Sequence, residues 1–575
     1  MNDETKTLRR ILCCAGKEYV LTHYSWEGDA LVRAGLPSYV IQEEFHRYDG
    51  YWWRPTMTND GVCHILYEEV DETGVETYKI GSGMSPEETT EEQRFPRAGS
   101  RNARFALKVL RFHLPFGNGK AEEDEEREDD VNVDVDVLTG SLELLFPWAE
   151  YLIDANWTPD GSSIWVKLLD RKQRQLEGAL LPLETFSLPS IVDEEETETE
   201  SSLPDPLVFL HLESPTSYLN SRLVCPKVDG VVRFIESWPR DIIYSTEQSG
   251  YQHLYFASCG QENSVRTRQL TKGPWVVMAE EIWVDEEKNL IYFLANKDTP
   301  LEKHLYVASY LQESEPVCLT QQGLSHHVFL DKGCRILVSS CSRLDMPPLT
   351  QVFRILSSKD IHGITIEPVG QLLPSPDSNA WVGYTPPEVH ACQISSGETL
   401  YALFFPPRNL VPGQKYPVIL NVYGGPKVQI VTNSFKGRRE LRNHVLASMG
   451  YCVVCIDGRG SANRGFLFES HIFGRLGLVE LDDQVEVLSW LADQNPYMDM
   501  NRVAIHGWSY GGYISLMALV SYPHVFKVSV AAAPVTSWRL YDTGYTERYI
   551  DLPQANPDGY DNGSVLSHVH KFPEE

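Results

Sequence analysis

The sequence contains no run of 18 apolar residues, and its first twenty residues lack the apolar core of a secretory signal. We therefore predict neither a membrane-spanning helix nor export. Positive charge is also scarce: the sequence has 50 Lys and Arg residues but 80 Asp and Glu residues, which gives a formal net charge of −30. This balance disfavours nucleic acid and anionic membranes as partners. We expect a cytoplasmic protein that binds neither.

Cysteine is scattered and odd in number, with eleven residues and no spacing typical of a disulfide framework or a zinc site. Cys452 and Cys455 are the one close pair, but "GYCVVCIDG" predicts a buried strand. Residues three apart on a strand point to opposite faces, which is wrong for chelation. We expect core cysteines, no metal and no cofactor.

Much of the negative charge lies in two runs, "AEEDEEREDD" from Ala121 and "DEEETETE" from Asp193. Runs of like charge repel themselves into solvated segments. We predict acidic loops over residues 121–136 and 193–200. An acidic binding tail is the alternative.

Short β-rich runs alternate with turn-rich gaps from about residue 50 to residue 380, for example "HLYFAS", "LIYFLAN" and "HLYVASY". Two runs begin at His253 and His304, which are 51 residues apart, and both read His-Leu-Tyr. This period fits the blades of a β-propeller better than a sandwich. We predict a β-propeller domain over residues 1–385, with both histidines placed for packing.

The sequence pattern changes at "YTPPEVHAC" (Tyr384–Cys392), beyond which β-runs alternate with helical runs. The predicted strands are "YPVILNV", "YCVVCID", "RVAIHG" and "KVSVAAA", and the predicted helices include "LVELDDQVEVLSWLADQ" and "YISLMALV". Such alternation predicts a mainly parallel sheet flanked by helices over residues 386–575.

The stretch "GWSYG" (Gly507–Gly511) matches G-x-S-x-G and falls between a predicted strand and a predicted helix. This context is typical of the nucleophile elbow of α/β-hydrolases. The turn lifts the Ser509 hydroxyl above the sheet, and the helix N-terminus favours developing negative charge. We predict that Ser509 is a nucleophile; a structural turn serine is the alternative.

Acyl transfer also needs hydrogen-bond donors for the oxyanion. The backbone N–H of Tyr510 is the expected first donor, since it follows the nucleophile. The loop "NVYGGP" after an earlier strand supplies the second, the hydroxyl of Tyr423.

Several motifs together resemble the prolyl oligopeptidase family: "HGWSYGG", "VYGGP", "IDGRGS" and "YDTGYTERY". The stretch "VIQEEFHRYDGYWWRP" (Val40–Pro55) narrows the likeness to the dipeptidyl peptidase IV branch, and most closely to its cytosolic members. The likeness covers roughly residues 35–575. It implies a β-propeller joined to an α/β-hydrolase domain, removal of N-terminal dipeptides with proline or alanine second, and a homodimer.

The resemblance implies that Glu43 and Glu44 bind the free N-terminus of a peptide substrate. An ammonium has three donors and a charge, which suits two carboxylates. Aromatic residues surround the pair in the sequence. If the substrate amine is held at a fixed distance from Ser509, that distance selects a length of two residues, about 7 Å of extended chain, before the attacked carbonyl.

The resemblance also implies that Trp538, Tyr541 and Tyr545 form the wall of a proline pocket. A shallow aromatic slot suits the rigid pyrrolidine ring. Taken alone, these three residues would be assigned to the core.

The family's triad has the order Ser, Asp, His, and this sequence ends at "HKFPEE", where we expect the strand before the Asp to begin. We expect the hydrolase domain to be incomplete at its C-terminus and the propeller to be partial at its N-terminus. Three hypotheses follow: a serine dipeptidyl aminopeptidase whose sequence is incomplete here; a catalytically dead propeller and half-hydrolase that binds peptides or partners; and a related oligopeptidase or acylaminoacyl peptidase.

Overall fold

The computed structural model describes residues 7–14, 17–25, 31–45, 52–57, 61–81, 90–113, 135–188, 204–213, 232–260, 264–356, 358, 360–372, 384–437 and 440–573. The acidic run at 193–200 and all of 121–136 except residues 135 and 136 lie outside these ranges. Among the described helices, none is long and apolar enough to cross a membrane.

The N-terminal part is built almost entirely of strands. Up to residue 213 its elements are β1 (Thr7–Cys14), β2 (Lys17–Ser25), β3 (Val32–Ala34), α1 (Tyr39–Glu43), β4 (Trp53–Met57), β5 (Val62–Asp71), β6 (Thr77–Gly81), β7 (Thr90–Arg94), β8 (Arg104–His113), β9 (Val135–Gly140), α2 (Leu142–Leu145), β10 (Ala149–Trp157), β11 (Ser163–Asp170), β12 (Gln175–Pro182), β13 (Phe186–Ser187) and β14 (Leu207–Glu213). Two hairpins, β1–β2 and β6–β7, accompany a six-stranded sheet of β13, β9, β8, β5, β3 and β4 and a four-stranded sheet of β10, β11, β12 and β14.

Three further four-stranded antiparallel sheets follow in strict chain order. Their strands are β15 (Val232–Ile235), β16 (Trp238–Thr246), β17 (His253–Cys259) and β18 (Val265–Gln269); β19 (Val277–Asp285), β20 (Leu290–Ala295), β21 (His304–Ser309) and β22 (Val317–Cys318); and β23 (Ser325–Leu330), β24 (Ile336–Arg343), β25 (Met346–Leu356) and β26 (Thr365–Gln371). Consecutive sheets of this kind are the blades of a β-propeller, which confirms the predicted fold of the N-terminal part.

The faint sequence repeat corresponds to equivalent strands of neighbouring blades. His253 begins β17 and His304 begins β21, each the third strand of its sheet. Both side chains are buried, and each Nδ1 bonds a threonine hydroxyl, at 3.0 Å for His253 and 3.2 Å for His304. The histidines therefore pair with polar groups inside the blades, as the packing interpretation expects.

The C-terminal part alternates strands and helices. Its elements are β27 (Glu388–Gln393), β28 (Thr399–Phe405), β29 (Tyr416–Val422), α3 (Leu441–Ser448), β30 (Cys452–Asp457), α4 (Phe466–Glu469), α5 (Val479–Gln494), β31 (Met498–Trp508), α6 (Tyr510–Ser521), β32 (Phe526–Ala532), α7 (Thr543–Ile550) and α8 (Pro557–Asn562). They form one six-stranded sheet in the order β27-β28-β30-β29-β31-β32, in which β30, β29, β31 and β32 are parallel. The mainly parallel sheet predicted from the alternation is confirmed, and so is the α/β-hydrolase domain that the resemblance implies.

The burial of strand β30 in this sheet explains why its sequence is apolar. Strand β30 is buried on both sides, with Cys452 in the main apolar cluster and Cys455 in a second cluster on the other face. The two thiols therefore point apart, as the strand period requires.

Within the described residues, no sheet joins a strand that ends at or before Gln371 to a strand that begins at or after Glu388. The domain boundary predicted at residue 385 lies between these two residues and stays a prediction.

Partly buried ion pairs hold the two parts together near α7. Arg171, on the propeller side, donates from Nη2 to Oε1 of Glu547 at 2.8 Å, and Glu547 is 1% exposed. The same oxygen accepts the backbone N–H of Gly99 at 2.8 Å. Arg174 donates to Asp551 at 2.7 Å. These contacts fix the helix that carries much of the candidate site.

Candidate active site

Ser509 stands at a strained corner between β31 and α6. Its backbone has φ 56° and ψ −116°, a conformation that L-residues avoid. The Ser509 N–H donates to the carbonyl of Ala532 on β32 at 2.9 Å, and the Ser509 carbonyl accepts the N–H of Tyr513 at 3.0 Å. The corner is thus held by the neighbouring strand and by the helix it begins.

The glycines around Ser509 are required by close backbone packing. A Cβ on Gly507 would lie 2.3 Å from the carbonyl carbon of Gly511, and one on Gly511 would lie 2.1 Å from the carbonyl oxygen of Val422. A Cβ on Gly512 would lie 2.6 Å from the carbonyl oxygen of Ala532. Only glycine lets α6 begin this close to β29 and β32.

The loop predicted to supply the second oxyanion donor lies beside this corner. Val422 pairs with Gly507 in the parallel ladder, so Tyr423 follows the end of β29 next to the end of β31. The ring centroids of Tyr423 and Tyr510 are 6.1 Å apart. The N–H of Tyr510 belongs to the first turn of α6, where helical N–H groups have no partner within the helix. Both residues predicted to supply the donors therefore lie at the serine corner.

The three aromatic residues predicted for a proline pocket form one cluster that touches the corner. Trp538 stacks on Tyr545 with centroids 5.8 Å apart and planes 11° apart, and Tyr541 meets Tyr545 edge-on at 5.4 Å. Trp538 also lies 5.7 Å from the ring of Tyr510. Trp538 is 1% exposed and forms the base, while both tyrosines are half-buried.

Glu44 contacts α7, the helix that carries Tyr545 of this aromatic cluster. It follows the last turn of α1, and its Cβ would lie 3.3 Å from a Cβ placed on Gly544 of α7. Burial raises the pKa of Tyr545 well above its usual range, and Tyr423 and Glu44 both add to the effect, so Tyr545 lies within electrostatic reach of both. Glu43 is exposed, and of the predicted pair only Glu44 is brought against α7.

A buried carboxyl and a buried guanidinium flank Glu44. Asp542 caps α7 by accepting the N–H of Tyr545 at 2.9 Å and is 0% exposed. Burial, and next the charge of Glu44, raise the pKa of Asp542 well above its usual range. Arg548 is also 0% exposed; it donates to Gln173 at 2.6 Å and lies 5.2 Å above the ring of Phe45. The positive charge of Arg548 favours ionisation of both carboxyl groups.

Two aromatic residues near the glutamate pair in sequence lie elsewhere in space. Trp52 is 1% exposed in the core of the first blades, and Trp53 stacks on Tyr67 at 4.8 Å. Tyr48 and Tyr51 lie outside the described residues. Phe45 does pack beside the site, on Tyr151 at 5.0 Å. Of Phe45, Trp52 and Trp53, therefore, Phe45 alone packs beside the site.

The sequence prediction also missed Asp542, Arg548 and Glu480, which all contact site residues. Asp542 has a local signal, since Asp before "TGY" is a typical helix N-cap. Arg548 and Glu480 have no such signal, because an isolated charged residue in a helical pattern is ordinarily assigned to a solvent-exposed face of the helix.

Sequence comparison matches two family descriptions to this chain. Residues 14–348 match "Dipeptidyl peptidase IV (DPP IV) N-terminal region", and residues 438–575 match "Prolyl oligopeptidase family". The first match covers more than half of the chain.

Curated relatives include dipeptidyl peptidase 8 of Mus musculus, 36% identical over 585 residues, and of Homo sapiens, 37% identical over 584 residues. Each alignment covers 94% of this chain and 62% of the relative. A probable dipeptidyl-aminopeptidase B of Coccidioides posadasii is 29% identical over 549 residues, covering 92% of this chain and 54% of that one. The chain thus spans less than two thirds of the length of these relatives.

Among solved structures, the crystal structure of Porphyromonas gingivalis dipeptidyl peptidase 4 matches with a TM-score of 0.77. The match covers 97% of this chain and 69% of that one, at 23% sequence identity. At this identity the similarity concerns the fold, a propeller with a hydrolase domain.

Proposed function

Because this chain belongs to the dipeptidyl peptidase IV branch of the prolyl oligopeptidase family, we propose that it removes N-terminal dipeptides with proline or alanine second, by acyl-enzyme chemistry at Ser509. The observation that carries the proposal is the contact of Glu44 with Gly544, on the same helix as Tyr545. That contact places Glu44 beside α7, and Tyr545 of this helix belongs to the aromatic cluster that touches the serine corner. An amine anchor, a ring pocket and a nucleophile then follow one another along a bound peptide.

In the proposed reaction, the Ser509 oxygen attacks the carbonyl carbon of the second residue while a general base takes the hydroxyl proton. The carbonyl oxygen becomes an oxyanion, and the Tyr510 N–H and the Tyr423 hydroxyl donate to it. One such donor is typically worth about 3 kcal/mol of barrier. Collapse of the intermediate breaks the C–N bond, the base returns its proton to the leaving nitrogen of the third residue, and the dipeptide stays esterified to Ser509 until water hydrolyses the ester.

Specificity in this proposal comes from charge and ring shape. Glu44 and Glu43 bind the ammonium of the first residue, with Glu44 dominant because it is half-buried while Glu43 is exposed. Trp538, Tyr541 and Tyr545 hold the ring or methyl group of the second residue. The two anchors together leave room for two residues before Ser509, about 7 Å of extended chain.

The test compares a chromogenic Xaa-Pro substrate with its N-acetylated form. We expect Glu44→Gln to raise KM for the free amine by roughly 10- to 100-fold, since hydrogen bonds to charged groups are worth about 1.5–3 kcal/mol. Glu43→Gln should raise it less. Glu184→Gln, an exposed glutamate on the 3-10 turn Leu183–Thr185, is the matched control and should leave KM unchanged. Equal cleavage of both substrates by the unmodified protein would instead support an oligopeptidase or acylaminoacyl peptidase.

A fluorophosphonate probe tests the nucleophile independently of specificity. Labelling that disappears in Ser509→Ala supports serine catalysis. A folded protein that neither labels nor cleaves, yet binds Xaa-Pro peptides, would support the binding-protein hypothesis.

We also propose that the protein is located in the cytoplasm and forms a homodimer. Eight described cysteines are free thiols, which fits a reducing compartment. The homodimer follows the family resemblance, and sedimentation velocity of the purified protein tests it.

A further inference from the structure

A buried carboxylate that plays no part in the proposed reaction lies under the oxyanion loop. Glu480 is 0% exposed at the start of α5, and its two carboxyl oxygens accept the N–H of Gly477 at 3.1 and 3.0 Å. Its Oε1 also accepts the hydroxyl of Tyr510. Burial raises the pKa of Glu480 to about 7 despite these donors. A carboxyl kept at such a desolvation cost needs an explanation beyond packing.

The Tyr510 ring lies between this carboxylate and the loop. A Cβ on Gly425 would be 2.6 Å from Cγ of Tyr510 and 2.9 Å from Cε1 of Tyr423, so the loop backbone rests directly on both rings. A Cβ on Gly424 would be 4.0 Å from Cβ of Glu480. The Tyr510 ring therefore touches the Glu480 carboxylate at its hydroxyl end and the loop at its Cγ end, and the loop also approaches Glu480 directly at Gly424.

We propose that Glu480 is a positioning residue for the oxyanion site, which holds the Tyr510 ring against Gly425 and thereby fixes the Tyr423 hydroxyl. This inference rests on the proposed function, because it assumes that Tyr423 donates to the oxyanion. The hydrogen bond fixes the tilt of a ring that otherwise rotates about two side-chain bonds. A ring free to shift releases the loop, and displacements of about 1 Å at a reacting group cost up to 100-fold in rate.

Two variants break the contact from opposite sides. Glu480→Gln keeps the size but weakens the acceptor for Tyr510, and Tyr510→Phe removes the hydroxyl while the Tyr510 backbone N–H stays. We expect each to lower kcat by about tenfold with KM within twofold. The double variant should lose no more than the worse single variant, since both remove one contact.

The matched control is Tyr513→Phe. Tyr513 is equally buried on the same helix, and its hydroxyl donates to the carbonyl of Leu476 at 3.0 Å rather than to Glu480. Its loss should lower stability by the usual amount for one buried hydrogen bond and leave kcat within twofold.

The Tyr423→Phe background separates positioning from general structural support. If Glu480 acts through Tyr423, Glu480→Gln should lower kcat by less than threefold once the Tyr423 hydroxyl is gone. A tenfold loss in both backgrounds, an effect on KM alone, or unchanged kcat in Tyr510→Phe overturns the inference.

Rates of fluorophosphonate labelling at Ser509 provide a readout that needs no dipeptide specificity. We expect the labelling rate to fall about tenfold in Glu480→Gln and to stay unchanged in Tyr513→Phe. If acetylated and free substrates are cleaved alike but this labelling pattern holds, the proposed substrate class fails and the positioning role stands. An unmodified protein that neither labels nor cleaves refutes both.

Discussion

The backbone strain at Ser509 can be measured by replacing this residue with glycine and with alanine. Both changes remove the hydroxyl of the proposed nucleophile, but only alanine keeps a Cβ at φ 56° and ψ −116°. A residue held in such a region costs about 1–3 kcal/mol, and glycine relieves that cost. The more flexible unfolded chain of the glycine variant offsets about 0.4–1 kcal/mol. We expect Ser509→Gly to be more stable than Ser509→Ala by about 1.3 kcal/mol.

Differential scanning calorimetry of the two variants is the assay. For a domain of roughly 190 residues, that difference raises the unfolding temperature by about 3–5 °C. Ser489 is the matched control, because it is exposed in the middle of α5 with helical geometry. There the same pair should reverse, with glycine less stable than alanine by about 1 kcal/mol. A Ser509→Ala protein as stable as Ser509→Gly would refute the strained corner.

Two further predictions concern close packing and pH. Gly511→Ala should lower kcat by about 100-fold and stability by about 1–3 kcal/mol, since its Cβ would lie 2.1 Å from the carbonyl oxygen of Val422; Gly370→Ala, with open space around it, is the control for calorimetry and kinetics. Burial lowers the pKa of His326 from 6.5 to about 4. Between these two pH values the unfolded chain is protonated at this residue and the native protein is not, so acid favours the unfolded chain. Stability should therefore drop by about 3 kcal/mol between pH 6.5 and pH 4 from this residue, and chemical unfolding of His326→Gln across the same range should show a smaller drop; equal slopes would contradict the assignment.

The fold was predictable because its local signals agree with its packing. The His-Leu-Tyr repeat identified blades, since β17 and β21 occupy the same place in adjacent sheets. The strand–serine–helix order identified the elbow, because Gly507 and Gly511 are forced by backbone contacts that no other residue permits. Such features are encoded within about twenty residues of chain.

The electrostatics of the site were not predictable in the same way. Asp542, Arg548 and Glu480 acquire their environment from burial, and burial depends on elements far apart in the sequence. Glu480 meets Tyr510 only because α5 and α6 pack on neighbouring parts of one sheet. In the linear sequence Asp542 is typical of a helix N-cap, whereas Arg548 and Glu480 are typical of charged residues on a helix surface.

The proposed length selection depends on both domains at once. Glu44 directly follows α1 on the propeller side, whereas Ser509 and Tyr545 belong to the hydrolase domain. The distance between amine anchor and nucleophile is therefore set by how α1 and α7 pack, and the partly buried pair of Arg171 and Glu547 fixes α7 at that interface. A change at the interface should alter where the ammonium is held without altering the serine corner. Loosening it should raise KM for Xaa-Pro substrates while fluorophosphonate labelling of Ser509 keeps its rate, because the corner is built from β29, β31, β32 and α6, which all belong to the hydrolase domain.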